Sequence, residues 1–141
     1  MKSEELMVGD CVMPLKKLKG IPGKVVTIDG GTDICWIDSK YYSCLIRCSD
    51  IEGIPLTPEI LEKNGFRHEA NKNYVCYAGK AKIAVQFRDK VAIQVSNEFK
   101  GKDNNGRADL VSFLRDWTDV LYVHYLQHVI RLCGIEKEIV L

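Results

Sequence analysis

Apolar and polar positions alternate along much of this chain and change to a helical rhythm near its end. Val8-Gly9-Asp10-Cys11-Val12-Met13 reads as a turn entering a strand, and Gly20-Ile21-Pro22-Gly23 as a loop with strong breaker chemistry. Lys24-Val25-Val26-Thr27-Ile28 is β-rich and runs into Asp29-Gly30-Gly31, a hairpin-type turn. Ile34-Cys35-Trp36-Ile37 and the segment from Tyr41 to Cys48 complete four or five short strands by about residue 50. Short strands at spacings of roughly 8–12 residues favour a small barrel over an open sheet.

The next signal is a short helix with both ends specified, Thr57-Pro58-Glu59-Ile60-Leu61-Glu62-Lys63-Asn64-Gly65-Phe66. Thr57 can cap the first amides, and Pro58 sits where a missing N–H costs nothing. Glu59 suits the positive end of the dipole, while Gly65 supplies a left-handed terminator after which Phe66 can fold back. His68 follows in a polar connector.

Asn73 to Ala78, Ala81 to Phe87 and the Val91, Ile93, Val95 repeat then predict a three-stranded antiparallel meander with one buried face. Residues 97–107 have no periodicity and read as the longest loop. From about Asp109 to Cys133 the period is helical, with Val111, Leu114, Thr118, Tyr122, Leu126, Val129 and Cys133 in one stripe. His124, Gln127, His128 and Arg131 fall on the other side, which reads as a solvated polar face. Gly134 is the expected cap, and Ile135 to Leu141 a short tail with an edge strand as one option.

Composition narrows the class. The chain has 141 residues, 46% of them hydrophobic, enough for one ordinary domain or two very small ones. Its net charge is +1, which argues against a strongly basic nucleic-acid coat and against an acidic mimic of DNA. The acidic start, Met1-Lys2-Ser3-Glu4-Glu5, lacks the apolar stretch of a signal peptide, so a cytoplasmic location is expected. The six cysteines contain no Cys-x-x-Cys, and Tyr42, Cys44, Ile46 and Cys48 would share a strand face as apolar lining. Six reduced thiols are the expectation, with a metal or redox role as the alternative.

Candidate chemistry is sparse. His124 and His128 stand one helical turn apart, the spacing that lets two imidazoles reach one metal. No Glu follows His124 directly, and Arg131 nearby opposes a cation, so the pair is a weak metal candidate. Cys76 with His68 is a nameable nucleophile and base, as some such pair always is among six cysteines and three histidines. No phosphate loop, nucleophile elbow or paired-carboxylate motif is present, so no catalytic residue and no cofactor is expected, and an enzyme is the least favoured class. Lys16, Lys17, Lys19 and Lys24, with Trp36 nearby, form a candidate nucleic-acid surface; the alternative is a solvated lysine loop guarding a strand edge. Lys100, Lys102, Asn104, Asn105 and Arg107 cluster in the long loop and are the candidate site for an anionic ligand.

Two stretches carry a resemblance. Ile54-Pro55-Leu56-Thr57-Pro58-Glu59-Ile60-Leu61-Glu62-Lys63-Asn64-Gly65-Phe66 and Tyr122-Val123-His124-Tyr125-Leu126-Gln127-His128, with Gly134-Ile135-Glu136, resemble a group of small uncharacterised proteins of gut Bacteroidales, their prophages and phages. The group's tail usually reads Tyr-Val-His-Gln-Leu-Gln; here Tyr125 stands at the first Gln. Val8-Gly9-Asp10 through Ile28 resembles a KOW/SH3-like segment.

The expectation is therefore an α+β protein, with an N-terminal SH3-like barrel over residues 1–53. Helix, three-stranded antiparallel sheet and C-terminal helix would follow over 54–141, with one core shared between the halves as an option. The preferred function class is a non-enzymatic accessory binding protein of a phage or mobile element, active in the host cytosol. Its partner would be a protein or a small anionic ligand, such as a sequestered nucleotide signal. A nucleic-acid-associated module and a virion structural or assembly protein are the alternatives.

Overall fold

The computed structural model describes residues 1–15, 18, 20–70, 73–87, 91–97 and 120–141. Among the described residues the fold is α+β, with two antiparallel sheets and few helices. Two compact units divide the chain: one holds Met1–Pro55, Tyr122–His128 and Leu141, the other Leu56–Leu121 and Val129–Val140.

In the first unit, β1 (Cys11–Pro14), β2 (Gly23–Asp29), β3 (Ile34–Asp38), β4 (Ser43–Arg47) and β5 (Ile51–Gly53) form one sheet in the order β4-β3-β2-β1-β5. A one-turn 3-10 helix, Cys48–Asp50, links β4 to β5. Among the described residues no ladder joins β4 to β5, so the sheet is not closed into a ring. The register shifts between Val25 and Thr27, an irregularity of the kind that bends a strand. Val12, Val25, Cys35, Ile37, Cys48 and Ile51 form the buried core, with Tyr42 and Ile46 packed against it. Each large aliphatic here contributes roughly 1.5–3 kcal/mol by leaving water. Burial pushes the Cys35 thiol up to about 12, and the adjacent Cys48 adds to the effect. Cys48 is raised by burial too. All six cysteines are free thiols.

In the second unit, α1 (Pro58–Lys63) is built as its sequence prescribes. The Thr57 hydroxyl accepts from the Ile60 amide, Pro58 opens the first turn, and Gly65 follows with φ of +79°. Phe66 then turns back, its amide donating to the Leu61 carbonyl at 3.0 Å, and is buried. Among the described residues the sheet has four strands, β6 (Arg67–Glu69), β7 (Asn73–Ala78), β8 (Ala81–Phe87) and β9 (Val91–Asn97), in simple sequence order. The expected three-stranded meander thus gains a strand, and His68 lies in β6 rather than in a connector. Arg67-His68-Glu69 has no apolar alternation of its own; its ladder to β7 fixes it. Ile83, Val85, Ile93 and Val95 are buried on one face of this sheet, and α1 lies against β6 and β7.

α2 (Val123–Leu132) is shorter than the helix expected from Asp109. Tyr122 precedes it in an extended bridge with Pro55, and the Val123 amide donates to the Ile54 carbonyl at 2.8 Å. The upstream stripe residues Val111, Leu114 and Thr118 lie outside the described residues. Gly134 ends the helix with φ of +65°. The tail forms no strand; the Asn64 side chain holds it, donating to the Val140 carbonyl and accepting from the Val140 amide.

Candidate functional site

Two groups of polar side chains stand out, one in each unit, and they are built differently. In the first unit the polar groups are buried and joined to one another. The chain turns at Gly9, and Asp10, fully buried, accepts from the Met7 amide at 2.7 Å through Oδ2. The same oxygen lies 2.8 Å from His128 Nε2. Gln127, only 4% exposed, brackets the turn: Oε1 accepts from the Cys11 amide and Nε2 donates to the Gly9 carbonyl. α2 is thereby fastened to the start of β1.

His124 is 1% exposed, its ring stacked on Tyr122 at 5.7 Å and lying 4.2 Å from the Tyr125 ring. Room for these rings comes from Gly53, where an added Cβ would sit 2.6 Å from the Tyr122 ring and 2.9 Å from that of His124. The expectation of a solvated face is thus corrected: of His124, Gln127, His128 and Arg131, only Arg131 is exposed. Helical periodicity sorts residues by type, whereas here His124 and Gln127 are buried and His128 half-buried because β1, β5 and the 8–10 turn supply partners. The His124 and His128 rings are 5.7 Å apart, and His128 Nε2 is engaged with Asp10. Among the described residues no group of three His, Cys, Asp or Glu gathers as metal ligands would.

In the second unit the polar groups are spread over an open sheet face. Alternation puts Glu69, Asn73, Lys82, Gln86, Gln94 and Ser96 around a floor of Val75 and Ala84. Together they enclose an open concavity of about 260 Å³. A second hollow of about 380 Å³ shares Glu69 and Val75 and has Arg67 and Tyr77 among its walls. Tyr77 is 65% exposed, and Lys82 Nζ sits 5.8 Å from its ring centroid. Six hydrogen-bonding side chains around a small apolar floor suit a polar ligand of modest size.

The residues singled out by sequence fare unevenly. Lys100, Lys102, Asn104, Asn105 and Arg107 lie outside the described residues, as do Lys16, Lys17 and Lys19. Lys24 is exposed and pairs across the strands with Asp38, while Trp36 opposes Leu45 and donates from Nε1 to the Ser43 hydroxyl at 2.7 Å. Val26, Trp36 and Leu45 are all exposed apolar side chains. His68 packs against Tyr74, ring centroids 5.1 Å apart, while the Cys76 thiol faces the Tyr77 carbonyl at 3.8 Å.

Sequence reasoning passed over the polar face of the second sheet. Its signal was present, since Lys82, Ala84 and Gln86 alternate with Ile83, Val85 and Phe87, but alternation gives one buried face and says nothing of what the other face holds. Neither the protein-family models, the curated proteins nor the solved structures contain a match to this chain.

Proposed function

We propose that this chain is a non-enzymatic binding protein that holds a small anionic ligand on the polar face of its second sheet, as an accessory of a phage or mobile element. One observation carries the reading: four strands converge six hydrogen-bonding side chains, Lys82 among them, on one concavity floored by Val75 and Ala84. Such a site offers a cation for charge, amides and a hydroxyl for orientation, and an apolar floor for a flat group. Sequestration of a nucleotide signal, with one ligand held per chain and none converted, is the version that best uses all three.

Native mass spectrometry of the purified chain after incubation with host extract tests this. The expected result is one added mass in the nucleotide range, released intact on denaturation. Lys82→Ala should retain roughly tenfold less of it, one charged contact being worth about 1.5–3 kcal/mol. A bare chain, or release of a chemically altered ligand, overturns the reading.

A nucleic-acid-associated module is the second reading, favoured by the first unit. The order β4-β3-β2-β1-β5, the register shift in β2 and the 3-10 turn before β5 support an SH3-like module. The partly exposed Trp36 supplies a stacking surface. Binding to single-stranded oligonucleotides that weakens steeply with salt would support it; absent or salt-insensitive binding would remove it.

A further inference from the structure

The two sheets guard their edges differently. β6 ends the second sheet with Arg67, His68 and Glu69, a short strand of exposed polar side chains that discourages further pairing. β4 ends the first sheet with a longer strand that has Leu45 at its centre. Leu45 is 64% exposed, with Trp36 across from it on β3 and Val26 beyond on β2. An apolar stripe thus crosses the sheet and stops at its edge.

The ladder fixes what that edge presents. The Ser39 amide donates to the Tyr42 carbonyl at 2.8 Å, and the Cys48 amide to the Asp33 carbonyl at 2.9 Å, one bond at each end of the β3–β4 pairing. Antiparallel partners alternate between bonded and non-bonded pairs, so Cys44 and Ile46 turn their backbone groups toward β3. Ser43, Leu45 and Arg47 turn theirs outward, and these are the members of β4 whose side chains are exposed. Among the described residues no strand takes up that side.

This edge is complementary to itself. In a second β4 laid antiparallel about Leu45, Leu45 meets Leu45 and Ser43 meets Arg47, every one a bonded pair. Charge agrees with that register. Asp38 lies across from Ser43, so the row becomes Lys24, Asp38, Ser43 and then Arg47 of the second copy, with opposite charges flanking the short serine. Asp38 and the incoming Arg47 stand two strand spacings apart, about 9–10 Å, a gap that an arginine side chain reaching over Ser43 crosses. A parallel arrangement would instead set the two Arg47 side by side. The match is internal to this chain, which favours a second copy over a foreign strand.

We propose that two copies of this chain pair antiparallel through β4, Leu45 on Leu45, with Asp38 of each copy facing Arg47 of the other. The two first-unit sheets become one continuous sheet, and the apolar stripe runs unbroken from Trp36 of one copy to Trp36 of its mate.

Sedimentation velocity of the full chain across about 1–500 µM tests this. A reversible dimer is expected, half formed at roughly 10–100 µM because the seam is short. Leu45→Lys sets two cations against each other on the axis and should raise the dissociation constant at least about tenfold. Arg47→Glu or Asp38→Lys alone should weaken pairing roughly three- to tenfold, and the two changes in one chain should restore it. All three side chains are exposed, so an unchanged circular dichroism spectrum should accompany each variant. A monomer throughout, a dimer indifferent to Leu45→Lys, or a loss that the charge swap does not restore overturns the proposal. A monomer that carries a co-purified protein, shed by Leu45→Lys, overturns self-pairing in favour of a foreign strand.

Discussion

The two units treat polar side chains in opposite ways. Around the 8–10 turn, Asp10, Gln127 and His128 are withdrawn from water and spend their hydrogen bonds on backbone or on each other. Across β6 to β9, Glu69, Asn73, Lys82, Gln86, Gln94 and Ser96 are arrayed around an open hollow. A polar group consumed inside the protein holds the fold, whereas one facing a concavity is available to something else. Residue type alone does not separate the two cases: by chemistry the histidines of α2 look more functional than the glutamines of the second sheet.

The contrast can be broken from either side, and the largest effect should come from Asp10. Asp10→Ala leaves the Met7 amide and His128 without their shared acceptor in a buried place, at a cost of about 2–4 kcal/mol. Thermal unfolding should shift down by on the order of 10 °C; a shift under about 2 °C on that scale would mean the cluster does not hold the fold. Gly53→Ala comes next, because its Cβ would press on the Tyr122 and His124 rings. Overpacking of this kind costs about 1–3 kcal/mol. Urea unfolding would reveal it, and an unchanged midpoint would show that the rings shift without cost.

A smaller effect should appear with pH. The Cys35 thiol is raised to about 12 by burial, while an unfolded thiol ionises near about 8.5. Below that unfolded value both states keep the proton and this thiol leaves stability unaffected by pH. As pH rises from there toward about 12 only the unfolded chain releases the proton, so stability falls. Cys35→Val should flatten that alkaline decline relative to the parent chain; an identical slope would assign the decline to other groups. The smallest effect belongs to the open face, where Lys82→Ala should change stability by less than about 0.5 kcal/mol while weakening ligand retention.

How much of this could be read from the sequence depended on how local the cause was. Thr57, Pro58 and Gly65 specify α1 within a few residues, and the alternation in Ala81–Phe87 and Val91–Asn97 is equally self-contained. Strand β6 was invisible because Arg67, His68 and Glu69 carry no pattern, and only the ladder to β7 holds them extended. Without β6 the row from Glu69 to Gln86 could not be assembled, so the candidate site went unseen. The burial of His124 and the half-burial of His128 were out of reach for a related reason. It depends on Gly53 and on Asp10, which lies 118 positions from His128, and a helical wheel contains neither.

That separation also sets a clock on synthesis. Gln127 and His128 leave the ribosome 118 residues after Gly9 and Asp10, the groups they bind. At elongation rates of about 5–20 residues per second the gap is roughly 6–24 s. Throughout that interval the Asp10 carboxylate can take the nearby Met7 amide but not His128. The first sheet can therefore pair its strands before the helix residues that fasten its turn have been made.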